Sequence, residues 1–151
     1  MTEFELDSID KKIIKMLHDN SRIHVSDMAR KIGNMTENAI RYRIDKLESE
    51  DYISNYTIRL NPKKFGKNIS AIFSLNVLPE NINRTLEHLR SMDCLTEVYL
   101  TTGAFSIIAI GFFEDRSELT RFITENLKKI KMIDYDVITV LQRVKHELYS
   151  I

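Results

Sequence analysis

"MTENAIRYRIDKLESE", residues 35–50, is the stretch that decides the fold of the first part of this chain. Thr36 is a favourable helix N-cap, and Glu37 follows it in the first turn, where a carboxylate is stabilising. Apolar residues then recur at helical spacing and form a stripe that we expect to be buried: Ile40, Ile44 and Leu47. The remaining positions carry polar and basic side chains: Asn38, Arg41, Tyr42, Arg43 and Lys46.

Two more helices are predicted before this one, and a β element after it. "DSIDKKIIKMLHDN" has one apolar face, with Asp7 or Ser8 as its N-cap. "VSDMARKIG" reads as a short helix that Ser26 caps and Gly33 ends. "DYISNYTIRLNP" has the β-branched and aromatic content of a small hairpin or extended strand. The order predicts a winged helix-turn-helix domain over residues 1–60.

The third helix is the candidate DNA reader. The major groove admits one helix, whose N-terminal half meets base edges while nearby cations neutralise phosphates. Asn38 and Arg41 lie on the first turns and are predicted to reach bases, whereas Tyr42, Arg43 and Lys46 are better placed for phosphates. The alternative is the solvated face of an ordinary amphipathic helix. That alternative explains any single charge, but it explains the ordered set of elements less well.

The second half changes its period. "NPKKFGKN", residues 61–68, is predicted to be a hinge, because it contains a proline, a glycine and three lysines. Residues 69–151 then follow the order βαββαβ, so the chain is α+β with a C-terminal ferredoxin-like domain. The predicted strand Phe105–Phe113 is apolar on both faces, and Ile72, Ile138 and Val140 add apolar surface. We expect that face to pack on a second copy, the alternative being cover by the chain's own hairpin or C-terminus.

Composition excludes several classes of protein. The 151 residues have a formal net charge of zero, so any basic footprint for nucleic acid must be local. An acidic N-terminus without an apolar core, one cysteine and no long apolar run predict a cytoplasmic protein without a membrane partner. The histidines lack metal-ligand spacing, and there is no phosphate loop or nucleophile elbow. We therefore expect no catalytic residues, no metal and no cofactor, although Asp134 and Asp136 share a strand face that could hold a metal.

These motifs resemble the Lrp/AsnC (leucine-responsive, or feast/famine) transcriptional regulators over essentially the whole chain. "LDSIDKKIIKMLHDNSRIHVSDMARKIG" is similar to the family's opening pattern, and "AIRYRIDKLESEDYISNYTIRLNP" resembles its next segment. Three departures stand out. The turn "GNMT" is one residue longer than usual, Asp51 stands where a glycine is typical, and Ser106 replaces the aspartate of a G-x-x-D loop. Asp tolerates a left-handed C-cap, so the turn at Asp51 can survive.

The resemblance implies double-stranded DNA as a partner, self-association into dimers and then tetramers or octamers, and an amino-acid effector bound between dimers. The implied effector residues are Tyr99, Thr101, Thr102, Gly103, Ala104, Phe105 and Ser106, facing Tyr135, Asp136 and Ile138. Gly103 equally fits a plain hairpin turn. Because a carboxylate at Asp136 could pair with a cationic side chain, the hypothesis is a basic effector such as lysine or arginine. The alternatives are a stand-alone amino-acid sensor and a ferredoxin-like enzyme.

Overall fold

The computed structural model describes residues 5–145, and the chain divides after Arg59 into two compact units. The last residues of the predicted ligand domain, 146–151, lie outside the described range. The first unit contains three helices, α1 (Ser8–Asp19), α2 (Val25–Ile32) and α3 (Glu37–Ser49). One residue or more from each helix fills a common core: Ile13, Met28, Ile40 and Leu47. The apolar stripe predicted on α3 is therefore what attaches this helix to the other two.

Side-chain caps fix the starts of two of these helices. Asp7 accepts hydrogen bonds from the backbone N–H groups of Ile9 and Asp10 at the start of α1, in a capping box with Asp10. The Thr36 hydroxyl accepts from the N–H of Ala39 at 3.2 Å, as the sequence predicts. The predicted Ser26 cap is wrong: the carbonyl of His24 accepts the first helical bonds, so α2 begins one residue before Ser26.

The chain leaves α3 through a left-handed residue. Asp51 has φ 60°, which is the left-handed conformation that we expected because a glycine is typical at this position. The N–H groups of Tyr52 and Ile53 both return to the carbonyl of Leu47. The hairpin or extended strand predicted after α3 stays a prediction, because residues 54–60 are assigned to no helix or strand in the described range 5–145. The Tyr56 hydroxyl donates to the Glu48 carboxylate at 2.7 Å.

The second unit has the predicted order βαββαβ. Its elements are β1 (Ile69–Val77), α4 (Ile82–Arg90), β2 (Leu95–Leu100), β3 (Ile107–Phe113), α5 (Arg116–Glu125) and β4 (Met132–Thr139), with 3₁₀ turns at Pro62–Phe65, Pro79–Asn81 and Leu127–Lys129. The sheet order is β2-β3-β1-β4, and every neighbouring pair is antiparallel. The edge strands are thus β2 and β4, with β3 and β1 between them. This is the ferredoxin-like arrangement.

Alternation along the central strands separates the two faces of the sheet. One face is buried against α4 and α5, where the rings of Phe73, Phe113 and Phe122 pack with centroids 5.1–5.9 Å apart. The other face, which we call the open face, has an apolar row: Ile72 on β1 is in register with Ile110 on β3 and with Ile138 on β4. The strand predicted from Phe105 begins two residues later, because residues 101–106 form a turn closed by the Thr101 N–H and the Ser106 carbonyl.

The predicted hinge, residues 61–68, is bonded to the second unit. Pro62–Phe65 is a 3₁₀ turn, and the Lys67 ammonium lies 3.1 Å from the Glu118 carboxylate and 3.4 Å from that of Glu114. These bonds raise the pKa of Lys67, the bond to Glu118 contributing most. The Asn68 side-chain amide also donates to the Glu114 carbonyl. A hinge motion about this segment stays a prediction. Such a motion either keeps these bonds, with residues 67 and 68 moving together with the second unit, or breaks them.

Candidate DNA-reading helix and effector region

α3 presents a polar surface whose orientation is set by its buried side. Ile40 and Leu47 are fully buried, while other side chains of the helix are exposed: Glu37, Asn38, Arg41, Tyr42 and Asp45. Tyr42 is 68% exposed. The Arg41 guanidinium is 4.0 Å from the Glu37 carboxylate, an exposed i,i+4 pair of little energetic weight. The helix can therefore offer an amide, a guanidinium and a phenol to a ligand without breaking its own packing.

Arg43 is engaged inside the unit, which the sequence prediction did not include. Its Nη1 donates to the Asp10 carboxylate at 2.6 Å and to the Asp7 carboxylate at 2.7 Å. Asp10 is 2% exposed, so this guanidinium is the counter-charge of a buried acid. The pKa of Arg43 is raised, chiefly by the bond to Asp10. The prediction that Arg43 serves a DNA phosphate is thus weakened, because one edge of its fork already ties α3 to α1.

The contact of Asp7 and Asp10 with Arg43 is a structural feature that the motif analysis missed. Asp7 has a lowered pKa, first because the backbone N–H of Asp10 donates to its carboxylate and then because Arg43 does. The spacing of Asp7 and Asp10 is a capping-box pattern, which was a readable signal for the start of α1. The local pattern could not show that Asp10 pairs with Arg43, because Arg43 lies more than 30 residues further along the chain.

The turn between α2 and α3 contains two consecutive residues with positive φ. Gly33 has φ 75° and Asn34 has φ 56°. Four residues, 33–36, separate the two helices. Asparagine adopts the left-handed region more readily than most residues. The two left-handed positions of the longer "GNMT" turn are therefore occupied by residues that tolerate them, and no β-branched residue has to adopt that conformation.

The β2–β3 turn is closed by the residues that were predicted to bind the effector. The Thr101 hydroxyl donates to the Phe105 carbonyl at 2.7 Å, and Gly103 has φ 118°, which favours glycine. The Ser106 hydroxyl accepts from the Val77 N–H at 3.0 Å. Ser106 therefore fastens the turn to the end of β1. Thr102, Gly103 and Ala104 are the exposed residues of this loop.

The β4 residues of the predicted effector set lie at the other edge of the sheet. Asp136 and Ile138 are exposed on the open face, and Tyr135 alternates to the opposite face. Tyr99 is on β2, where its hydroxyl donates to the Glu97 carboxylate. Within one chain β3 and β1 separate the two edges, and the predicted site between dimers stays a prediction. A site that used both halves needs residues from more than one copy.

In the range 5–145, no three His, Cys, Asp or Glu side chains cluster as metal ligands. No helix in that range has the length and apolar character to cross a bilayer. Within the described part of the chain, Asp134 and Asp136 have no third acidic, histidine or cysteine residue beside them.

The arrangement defines a class of protein: a helix-turn-helix transcriptional regulator with a separate ligand-binding domain. The AsnC-type helix-turn-helix domain matches residues 6–48, and the Lrp/AsnC ligand binding domain matches residues 70–149. The chain belongs to the Lrp/AsnC family. It is 33% identical over 125 residues to the HTH-type transcriptional regulator LrpA of Pyrococcus horikoshii, a match that covers 83% of this chain and 88% of LrpA.

Two solved structures share this fold. AsnC of E. coli superimposes with a TM-score of 0.90 at 22% identity, over 97% of this chain and 99% of AsnC. A transcriptional regulator from Neisseria meningitidis, in complex with L-Met, also gives 0.90, at 19% identity, over 97% of this chain and 96% of that one. At these identities the likeness shows the fold alone.

These matches confirm the family and its general function. The protein is a DNA-binding transcriptional regulator, and the relatives are regulators and not enzymes. The domain over residues 70–149 is a ligand-binding domain, and the family is oligomeric. A ferredoxin-like enzyme is thereby excluded as the interpretation, and a stand-alone sensor is disfavoured by the DNA-binding half.

Proposed function

We propose that α3 is the helix that reads DNA, with Asn38 and Arg41 directed at base edges and Tyr42 and Lys46 at phosphates. Thr36 and Glu37 then fix the start of the helix at the groove. The observation that supports this proposal is the division of α3 into two sides: Ile40 and Leu47 hold it from behind while Asn38, Arg41 and Tyr42 are exposed. A reading helix needs both a rigid mount and an unobstructed polar face.

Two copies would present their α3 helices to half-sites about one helical turn apart, with the sheets joined at the open face. The row of Ile110, Ile72 and Ile138 supports this arrangement, because it extends across three adjacent strands of the open face. In the single chain the Ile138 residue is 49% exposed. Burial of such a row between copies removes apolar area from water at about 25 cal/mol per Å². Further stacking of dimers would give the tetramers or octamers that we expect.

The effector in this proposal is a basic amino acid such as lysine or arginine. It binds between dimers, near the β2–β3 loop and β4. Support comes from the ligand-binding domain and from the charge of the open face, where Asp136 is exposed. Two copies would also unite the loop of one chain with β4 of another. An effector that changes the assembly then changes DNA affinity, and DNA changes effector affinity by the same factor.

The DNA part is tested by fluorescence anisotropy of the full chain on a duplex selected from a random pool. We expect tight binding whose logarithm falls steeply with the logarithm of the salt concentration. Lys46→Ala should weaken binding on every duplex and flatten the slope by about one unit. Arg90→Ala, an exposed cation at the end of α4, is the matched control and should leave both unchanged. Equal loss in the two variants would contradict the placement of DNA on α3.

The effector part is tested by thermal shift with each of the twenty amino acids. Lysine or arginine should raise the midpoint temperature, and Asp136→Asn should remove that increase. Asp134→Asn, two residues away on the same strand, is the control and should keep most of it. Stabilisation by leucine or glutamine together with none by lysine or arginine would rule out the basic effector while leaving an amino-acid effector in place.

A further inference from the structure

A concave site on the helix layer of the second unit belongs to neither the DNA face nor the open face of the sheet. Its volume is about 250 Å³. One wall is a single face of α4 and its N-cap, and the other is the segment that leads into β4. Its lining residues are Asn81, Arg84, Thr85, His88, Lys129, Ile130 and Lys131, none of them a carboxylate.

Thr85 points to a ligand in this cavity. The residue is 4% exposed, yet its hydroxyl makes no side-chain hydrogen bond with any described residue. No fully enclosed side-chain oxygen or nitrogen of the described chain lacks a partner. The Thr85 hydroxyl therefore keeps an opening to solvent, and the cavity that it lines provides that opening. A buried donor that is satisfied only through a cavity is satisfied by water or by a ligand group.

Three cationic side chains line the cavity: Arg84, Lys129 and Lys131. Arg84, Lys129 and Lys131 make no ion pair with any residue in the range 5–145. By contrast, Arg43 and Lys67 each contact two carboxylates. Like charges that converge without a counter-ion repel one another, and an anion between them relieves that repulsion. The chain as a whole has a net charge of zero, so the positive potential here is local.

We propose that this cavity binds a phosphate group, and that the occupant is a small phosphorylated molecule. Arg84 offers a planar fork suited to a phosphate, and Lys129 and Lys131 add point charges. Thr85 and Asn81 supply neutral donors, and the Asn81 side chain is free to do so because it does not cap α4. The volume lies below the roughly 300 Å³ at which drug-sized pockets begin, so it suits a phosphate with a short carbon skeleton. This would be a second ligand class, independent of the amino-acid effector.

The proposal is tested by isothermal titration calorimetry of the full chain with inorganic phosphate. A titration with sodium chloride at equal ionic strength is the reference. We expect saturable binding to the wild type. Arg84→Gln should weaken it by about tenfold or more, the loss of one charge-assisted hydrogen bond. Thr85→Val, which keeps the volume and the charge, should also weaken it. Lys129→Gln should weaken it as well, while its neighbour Lys128, which does not line the cavity, serves as the matched control.

Two outcomes would overturn the site itself. One is the absence of saturable phosphate binding to the wild type. The other is an equal loss in Lys128→Gln and Lys129→Gln, which would mean a diffuse effect of surface charge. A circular dichroism spectrum of each variant confirms that the fold is intact, so a loss of binding is not a loss of structure.

A second arm distinguishes a free phosphate ester from the DNA backbone as the source of the phosphate. In phosphate-free buffer, Arg84→Gln should bind the selected duplex with the affinity and salt slope of the wild type. A weaker affinity with a shallower slope would overturn the assignment to a small molecule, because the occupant would then be a DNA phosphate. The α3 test described above gives its result independently of this one.

Discussion

The ion pair between Arg43 and Asp10 should be the largest single electrostatic contribution to the helical unit, and Arg43→Met tests it. Removal of one partner from a buried pair costs about 3–5 kcal/mol, because the other charge stays buried without compensation. Asp10 is 3% exposed in its side chain and Arg43 is 27% exposed, so some solvent screening remains. We therefore expect a loss of about 2–4 kcal/mol in the free energy of unfolding of this unit. The second contact, to the half-exposed Asp7, adds little.

Hydrogen exchange of the full chain, read by mass spectrometry without DNA, reports the opening of α1 and α3 separately from the sheet unit. Arg43→Met should reduce protection in both helices and leave β1 and β3 unchanged. Arg41→Met is the matched control, since among residues 5–145 its only ion pair is the exposed one with Glu37, at 4.0 Å; its effect should stay within about 0.5 kcal/mol. In an Asp10→Asn background the cost of Arg43→Met should fall by about 1–3 kcal/mol. Equal protection in the Arg43 and Arg41 variants would refute the reasoning.

Two further predictions concern acid stability and packing. The pKa of Asp7 is lowered from 3.8, so its stabilising effect is present above that pH and is lost as the pH falls through the folded value. Asp7→Ser keeps a cap on α1 and removes the titrating group, so acid-induced loss of exchange protection in α1 should be smaller in this variant; an unchanged acid profile would contradict the role of Asp7. Gly111→Ala would place a Cβ 2.9 Å from the Leu95 side chain and 3.0 Å from the Cys94 carbonyl, which should destabilise the sheet unit by about 1–3 kcal/mol in a thermal melt. A melting temperature equal to that of the wild type would show that β2 gives way without cost.

The order of elements could be predicted because each depends on local pattern. The caps at Asp7 and Thr36, the stripe of Ile40 and Leu47 and the βαββαβ order all follow from spacing within a dozen residues. The left-handed conformation of Asp51 followed from the family resemblance, because a glycine is typical at that position and Asp tolerates the same conformation.

Two features of the candidate sites could not be predicted from the sequence, because they depend on residues distant in sequence. Arg43 looked like a DNA cation because its partner at Asp10 is 33 residues away. The loop at residues 101–106 and β4 looked adjacent because their positions at opposite edges come from the strand order of the sheet.

The central claim, that α3 reads bases, is tested most directly by the base preference of Arg41→Ala. Selection from a random duplex pool, followed by sequencing, gives the preference at each position for the wild type and the variant. We predict that Arg41→Ala loses discrimination at one position in each half-site, by about 1–3 kcal/mol against the wrong base, and keeps its preference elsewhere. An unchanged preference at every position, with DNA binding retained, would contradict the claim.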